Sequence, residues 1–184
     1  MASRSDSIVI WLEDIRKDDI HLVGGKCANL GELTAKGVRV PPGFAVTASA
    51  FRHFLDETKI EEVIHKTLRN SNGSKDPKLY EEASQEIRKL IESVHMPADV
   101  ADEVRRAYRQ LCKKTGCDQV TVAVRSSATG EDLPDASFAG QQDTYLNVKG
   151  EDQLVHYVQK CWSSLYTPRA IFYREEKGFP HEKV

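Results

Sequence analysis

The chain has 184 residues, of which 40% are hydrophobic and 29% are charged, and its 26 Lys and Arg against 28 Asp and Glu give a formal net charge of -2. This composition is typical of a globular chain with a hydrophobic core, and it excludes the strongly basic surface of many nucleic-acid-binding proteins. Charged residues interrupt every apolar run, so we expect no signal peptide, no transmembrane helix and no membrane partner, and we predict a cytoplasmic protein.

The first fifty residues alternate between extended and helical patterns. Residues 8–12 are apolar and mostly β-branched or aromatic, which predicts a strand. The sequence Val23-Gly24-Gly25-Lys26 precedes apolar residues at helical spacing, so we predict that a helix starts there and ends at Gly37. Residues 38–46 contain a Pro-Pro-Gly sequence and predict extended chain, and Thr47 is suited to cap the next helix.

The middle of the chain, residues 57–114, is predicted to be a helical insert. Asp76 can cap a helix whose first residue is Pro77, and a second helix follows Pro97. Apolar side chains recur at helical spacing along both, as expected of core-facing helix surfaces. The members of the two stripes are Leu79, Ala83, Ile87, Leu90, Ile91 and Val94, and then Val100, Val104, Tyr108 and Leu111.

The last part of the chain is predicted to contain two strands and two helices. We predict that Val120–Val124 is a strand buried on both faces and that Thr144–Val148 is a second strand. An amphipathic helix follows, and another begins at Thr167-Pro168. We predict an α+β fold in which the segments at 8–12, 39–47, 120–125 and 143–148 form one small sheet under several helices.

Two segments have residue types that are suited to binding an anion. Paired glycines at a helix start, as in Gly24-Gly25-Lys26, allow backbone amides and a lysine to approach phosphate. In Ala123–Asn147 a strand ends at Arg125, and a segment rich in hydroxyls and glycines follows. The planar guanidinium of arginine matches phosphate oxygens. From the residues alone, each segment also fits a plainer role: a turn with a solvated lysine, or a surface loop with Arg125 in a structural ion pair.

Other catalytic or metal-binding patterns are missing from the sequence. The glycine spacings of a P-loop and of a dinucleotide-binding fingerprint are absent. Cys112 and Cys117 have no matching pair of Cys or His ligands, so we predict no metal site in this chain. We interpret the four cysteines as reduced thiols.

Four stretches of the sequence together resemble the N-terminal region of the phosphoenolpyruvate synthase and pyruvate phosphate dikinase family, which also includes rifampin phosphotransferase. The resemblance covers nearly the whole chain and is weakest in residues 57–119. The four stretches are LVGGKCANLGEL, VPPGFAVTASAF, AVRSSATGEDLPDASFAGQQDTYLNV and CWSSLYTPRAIFYREEKGFPHEKV.

This resemblance implies that the chain is the N-terminal portion of an ATP-grasp nucleotide-binding domain, with a phosphate-binding loop at about 125–144. It implies that Lys26, Arg125, Gly140 and Thr144 bind ATP, and that Arg125 also has a catalytic role. It further implies Mg²⁺, whose carboxylate ligands lie in the family's later segments, together with a phosphohistidine domain and a pyruvate-binding domain. None of these has a counterpart in the sequence, so we expect a fragment that is inactive alone or needs partner subunits.

The implied reaction of the complete enzyme converts ATP, pyruvate and water to AMP, phosphoenolpyruvate and phosphate. The acceptor is chosen by domains that this sequence does not contain. A related dikinase that phosphorylates rifampin or a phenol therefore stays open, as does a non-catalytic nucleotide-binding module.

Overall fold

Helices form most of the part of the chain that the structure describes. The structure is a computed structural model, and it describes residues 4–71, 73–74, 76–127, 132–133, 136–137 and 143–178. The helices within these ranges are α1 (Ile20–Ala35), α2 (Ala48–Thr58), α3 (Glu61–Ser71), α4 (Pro77–Ser93), α5 (Ala98–Thr115), α6 (Glu151–Ser163) and α7 (Pro168–Lys177). The strands are β1 (Val9–Trp11), β2 (Phe44–Val46), β3 (Thr121–Arg125), β4 (Asp132–Leu133), β5 (Ala136–Ser137) and β6 (Thr144–Lys149). The predicted α+β class is confirmed.

The helical insert has the predicted caps and most of the predicted core faces. Asp76 Oδ1 accepts a hydrogen bond from the Lys78 amide at 3.0 Å, and Pro77 is the first residue of α4. Thr47 Oγ1 accepts from the Ala50 amide at the start of α2. Both apolar stripes face one core, except that Leu79 is 38% exposed. No helix in the described ranges is long and apolar enough to span a bilayer.

The prediction of one small sheet is wrong. β1 pairs with β2, β3 pairs with β6 and β4 pairs with β5, and each pair is a separate antiparallel ladder. The first two ladders nevertheless pack on the same helical core. The β1–β2 ladder does so through Val9, Phe44 and Val46, and the β3–β6 ladder does so through Val122 and Val124. Alternation of apolar residues indicates which face of a strand is buried, but it does not indicate which strand is its partner.

The prediction that β3 is buried on both faces is also wrong. Val122 and Val124 are half-buried against the helical core, whereas Thr121, Ala123 and Arg125 are exposed. An antiparallel ladder with helices on one face leaves its other face open. Arg125 therefore lies on an open surface at the end of β3.

Tyr108 links the start of β3 to the end of β6, at the end of this ladder that is farther from Arg125. Its hydroxyl donates to the Val120 carbonyl oxygen at 2.7 Å and accepts from the Gly150 amide at 2.9 Å. Burial raises the pKa of Tyr108, so the hydroxyl stays protonated at neutral pH and can donate. One buried side chain of α5 thus links the start of β3 to the end of β6 and helps to set the register of their pairing.

Candidate functional site

The pairing of β3 with β6 brings two of the predicted site residues together. Arg125 lies directly opposite Thr144 in the antiparallel register, and both residues are exposed. Opposite residues on one face have Cβ atoms roughly 5 Å apart. The neighbouring pair, Val124 and Tyr145, packs towards the helices. A guanidinium and a hydroxyl are therefore adjacent on the open face of this ladder.

Gly24 divides α1 into a short first turn and a longer helix. Its φ of 74° and ψ of 166° are non-helical and fall in a backbone region that essentially only glycine occupies. A Cβ atom at this position would lie 2.0 Å from the carbonyl oxygen of Ser127. The turn at Gly24 therefore contacts the backbone that follows β3, and only glycine fits there.

Ser127 supplies a hydrogen bond to the start of the second part of α1. The Cys27 amide donates to Ser127 Oγ at 3.1 Å. The first amides of a helix have no partner within the helix, and a hydroxyl just before the helix often accepts from one of them. Here the hydroxyl comes from a residue 100 positions later in the chain. The two sequence segments predicted to bind an anion are thus parts of one structural unit.

The Lys26 side chain also extends to the end of β3. Its Nζ lies 3.5 Å from the carbonyl oxygen of Ser126, the residue that follows Arg125. Lys26 and Arg125 therefore come from separate parts of the sequence to the end of β3, where Lys26 lies at the positive end of a helix and Arg125 lies opposite Thr144. Such a group of donors can bind several oxygens of a polyphosphate at once.

Asp143 anchors the start of β6 from the helical side. Its Oδ2 accepts from Arg88 Nη2 at 2.9 Å and from the Tyr145 hydroxyl at 3.0 Å. Burial, together with the nearby Asp143 carboxylate, raises the pKa of Tyr145, so the phenol stays protonated and donates. Arg88 cannot be recognised from the sequence alone, because a charged residue on an amphipathic helix is ordinary and no motif surrounds it.

The predicted site is described only in part. Gly140 lies outside the described residues, as does most of the predicted phosphate-binding loop. Among the side chains that the structure describes, no salt bridge includes Arg125. Within the same ranges no three His, Cys, Asp or Glu side chains form a cluster that could hold a metal ion.

The sequence matches the family described as the pyruvate phosphate dikinase AMP/ATP-binding domain over residues 20–184. Relatives described as probable phosphoenolpyruvate synthases include one from Staphylothermus marinus, which is 53% identical over 95% of this chain and 21% of its own length. A second, from Methanocaldococcus jannaschii, is 53% identical over 99% of the chain and 15% of its own length. A third, from Archaeoglobus fulgidus, is 57% identical over 96% of the chain and 23% of its own length. The chain thus spans less than a quarter of the length of each of these relatives.

Proposed function

The chain belongs to the family of the pyruvate phosphate dikinase AMP/ATP-binding domain, and we propose that it is the first part of the ATP-grasp region of a phosphoenolpyruvate-synthase-type dikinase. The complete enzyme would convert ATP, pyruvate and water to AMP, phosphoenolpyruvate and phosphate. The names of the three relatives support pyruvate as the acceptor over rifampin or a phenol. By "intact enzyme" we mean this chain joined to the further length that such relatives have.

One observation supports the proposal: Lys26 Nζ lies 3.5 Å from the carbonyl oxygen of Ser126, the residue after Arg125, and Arg125 lies opposite Thr144. ATP has a chain of phosphate oxygens that needs several donors at once, and these residues supply two cations and a hydroxyl. In this proposal Lys26 neutralises phosphate charge as a compact ammonium, and the Thr144 hydroxyl donates to a phosphate oxygen. Gly140 would let the backbone approach the same phosphates.

Arg125 has the catalytic role in this proposal. Phosphoryl transfer spreads negative charge over the transferring group, and most of its catalysis comes from positioning and from stabilising that charge. A guanidinium can hold two oxygens of the moving phosphoryl group in a fixed plane. Because Arg125 lies on the open face of its ladder, its guanidinium can reach a nucleotide without disturbing the core.

Mg²⁺ accompanies ATP in most phosphoryl-transfer enzymes. The described part of this site offers cations and hydroxyls, which are not the carboxylate-rich set that binds Mg²⁺. These residues do not fit the metal. We propose that its ligands, the phosphohistidine and the pyruvate site belong to other parts of the intact enzyme.

We expect the 184-residue chain alone to form no AMP in the presence of ATP and pyruvate, whereas the intact enzyme forms AMP in a pyruvate-dependent reaction. The reason is that the chain lacks the implied phosphohistidine and acceptor site. The measurement is AMP release by the two purified proteins at equal concentration, with rifampin replacing pyruvate as a control. Pyruvate-dependent AMP formation by the short chain would refute the assignment of a partial enzyme. An intact enzyme that turns over only with rifampin would refute the proposal that pyruvate is the acceptor.

A further inference from the structure

The start of β6 is held in place by a charged side chain from α4. Arg88 Nη2 and Asp143 Oδ2 are 2.9 Å apart, and the two side chains are only 30% and 39% exposed. The Tyr145 hydroxyl donates to the same carboxylate oxygen, and the Tyr145 ring packs on Tyr157 of α6, with 5.0 Å between ring centroids. The Asp143 carboxylate is thus held from α4 and from the strand at the same time.

Asp143 directly precedes Thr144, so the position of one determines the position of the other. Their Cα atoms are separated by one peptide unit, about 3.8 Å. Thr144 in turn lies opposite Arg125 in the register of β3 and β6. A shift of Asp143 would therefore move the Thr144 hydroxyl relative to the Arg125 guanidinium.

The pairing with Arg88 also matters for charge. The Asp143 carboxylate is half-buried on the helical face of the ladder, whereas the proposed function puts the phosphates of ATP on the open face beside Thr144. An unpaired charge is costly where the surroundings are partly buried, so without Arg88 this carboxylate would turn towards water. The Arg88 guanidinium neutralises the carboxylate and thereby lets Asp143 keep its place at the start of β6.

We infer that Arg88 is a positioning residue of the nucleotide site: from the helical insert, it holds and neutralises Asp143 and thereby keeps Thr144 in place opposite Arg125. This inference rests on the proposed function. It assigns a role in the site to α4, whose sequence pattern predicts only a core-facing helix. It also separates two effects, position and charge, that variants can test one at a time.

We expect Arg88→Gln in the intact enzyme to raise the KM for ATP about tenfold, because the unpaired, partly buried Asp143 carboxylate then turns towards water and displaces Thr144. The value of kcat should change much less. The double variant Arg88→Gln/Asp143→Asn should recover most of the KM, since two amides can hydrogen-bond without a net charge. Arg88→Lys keeps the positive charge but loses the planar set of guanidinium donors. Its KM for ATP should lie between those of wild type and Arg88→Gln.

Arg105→Gln is the matched control. Arg105 lies on α5, is 34% exposed and pairs with Asp152 beyond the other end of β6, also at 2.9 Å. Because the Asp152 side chain is 89% exposed, we expect Arg105→Gln to change the melting temperature little and to leave the KM for ATP unchanged. Equal KM values for ATP in the Arg88→Gln and Arg105→Gln enzymes, or no recovery in the double variant, would overturn this inference and leave the proposed function intact. A folded wild-type enzyme without ATP-dependent turnover would overturn the proposed function and the inference with it.

Discussion

The Arg125→Ala variant of the intact enzyme should transfer phosphoryl groups from ATP on the order of 10³-fold more slowly than wild type, the loss seen when an arginine that contacts a transferring phosphoryl group is removed. Its melting temperature should stay close to that of wild type. Arg125 is exposed at the end of β3, and substitutions at such surface positions usually change stability little. The measurement pairs a thermal melt with the rate of ATP-dependent phosphorylation on the same protein.

Arg125→Lys distinguishes charge from geometry at this position. Lysine keeps the positive charge but cannot hold two oxygens in one plane, so we expect it to recover only part of the lost rate. A large drop in the melting temperature of Arg125→Ala, with turnover near normal, would mean that Arg125 has a structural role. The catalytic assignment would then be wrong.

Gly24→Ala should damage both stability and activity. The backbone at Gly24 has φ 74° and ψ 166°, and a non-glycine residue in such a region costs roughly 1–3 kcal/mol. A Cβ atom would also lie 2.0 Å from the Ser127 carbonyl oxygen, so the turn must separate from the end of β3. We therefore expect a lower melting temperature and slower phosphoryl transfer, because Lys26 is then displaced from the end of β3.

Gly150→Ala is the control for the backbone cost alone. Gly150 has a similar conformation, with φ 96° and ψ 153°, but no heavy atom lies within 4 Å of a Cβ built there. It should lower the melting temperature and leave the phosphoryl-transfer rate of the folded enzyme near that of wild type. If Gly24→Ala behaves like Gly150→Ala in both measurements, the contact between Gly24 and Ser127 does not matter for the site.

The helices could be predicted because their determinants are local. Asp76 and Pro77 specify the start of α4, and Ile87, Val100 and Val104 mark core faces by spacing alone. These signals act within a few residues of each other. The starts of α4 and α5 and most of their core-facing positions therefore follow from the sequence.

The pairing of the strands could not be predicted in the same way. The small residues Thr121 and Ala123 alternate with valines, so the sequence of β3 shows no charged face before Arg125. Both residues nevertheless lie on its exposed face. Whether a face is covered depends on elements far away in the sequence. The separation of β1–β2 from β3–β6 likewise depends on how each ladder packs on the helical core, for which no local pattern exists.

The candidate site could be predicted in its residue types but not in its assembly. Lys26 and Arg125 stand out because glycines and hydroxyls surround them. Their convergence depends on the contacts of Gly24 and Cys27 with Ser127, the second of which spans 100 positions of sequence. The Arg88–Asp143 pair has no sequence signature, because an arginine on a helix is ordinary until its partner is known.

The central claim is that Lys26 lies beside the phosphates of a nucleotide bound at the end of β3. An ATP analogue with an acyl group on its terminal phosphate transfers that group to lysine amines near the bound phosphates, and mass spectrometry identifies the modified lysine. We predict that Lys26 of the intact enzyme is acylated well above the exposed Lys36 at the end of the same helix. Excess ATP should suppress the modification, and Arg125→Ala should weaken it. Labelling of Lys26 that equals labelling of Lys36 and does not respond to ATP would contradict the claim.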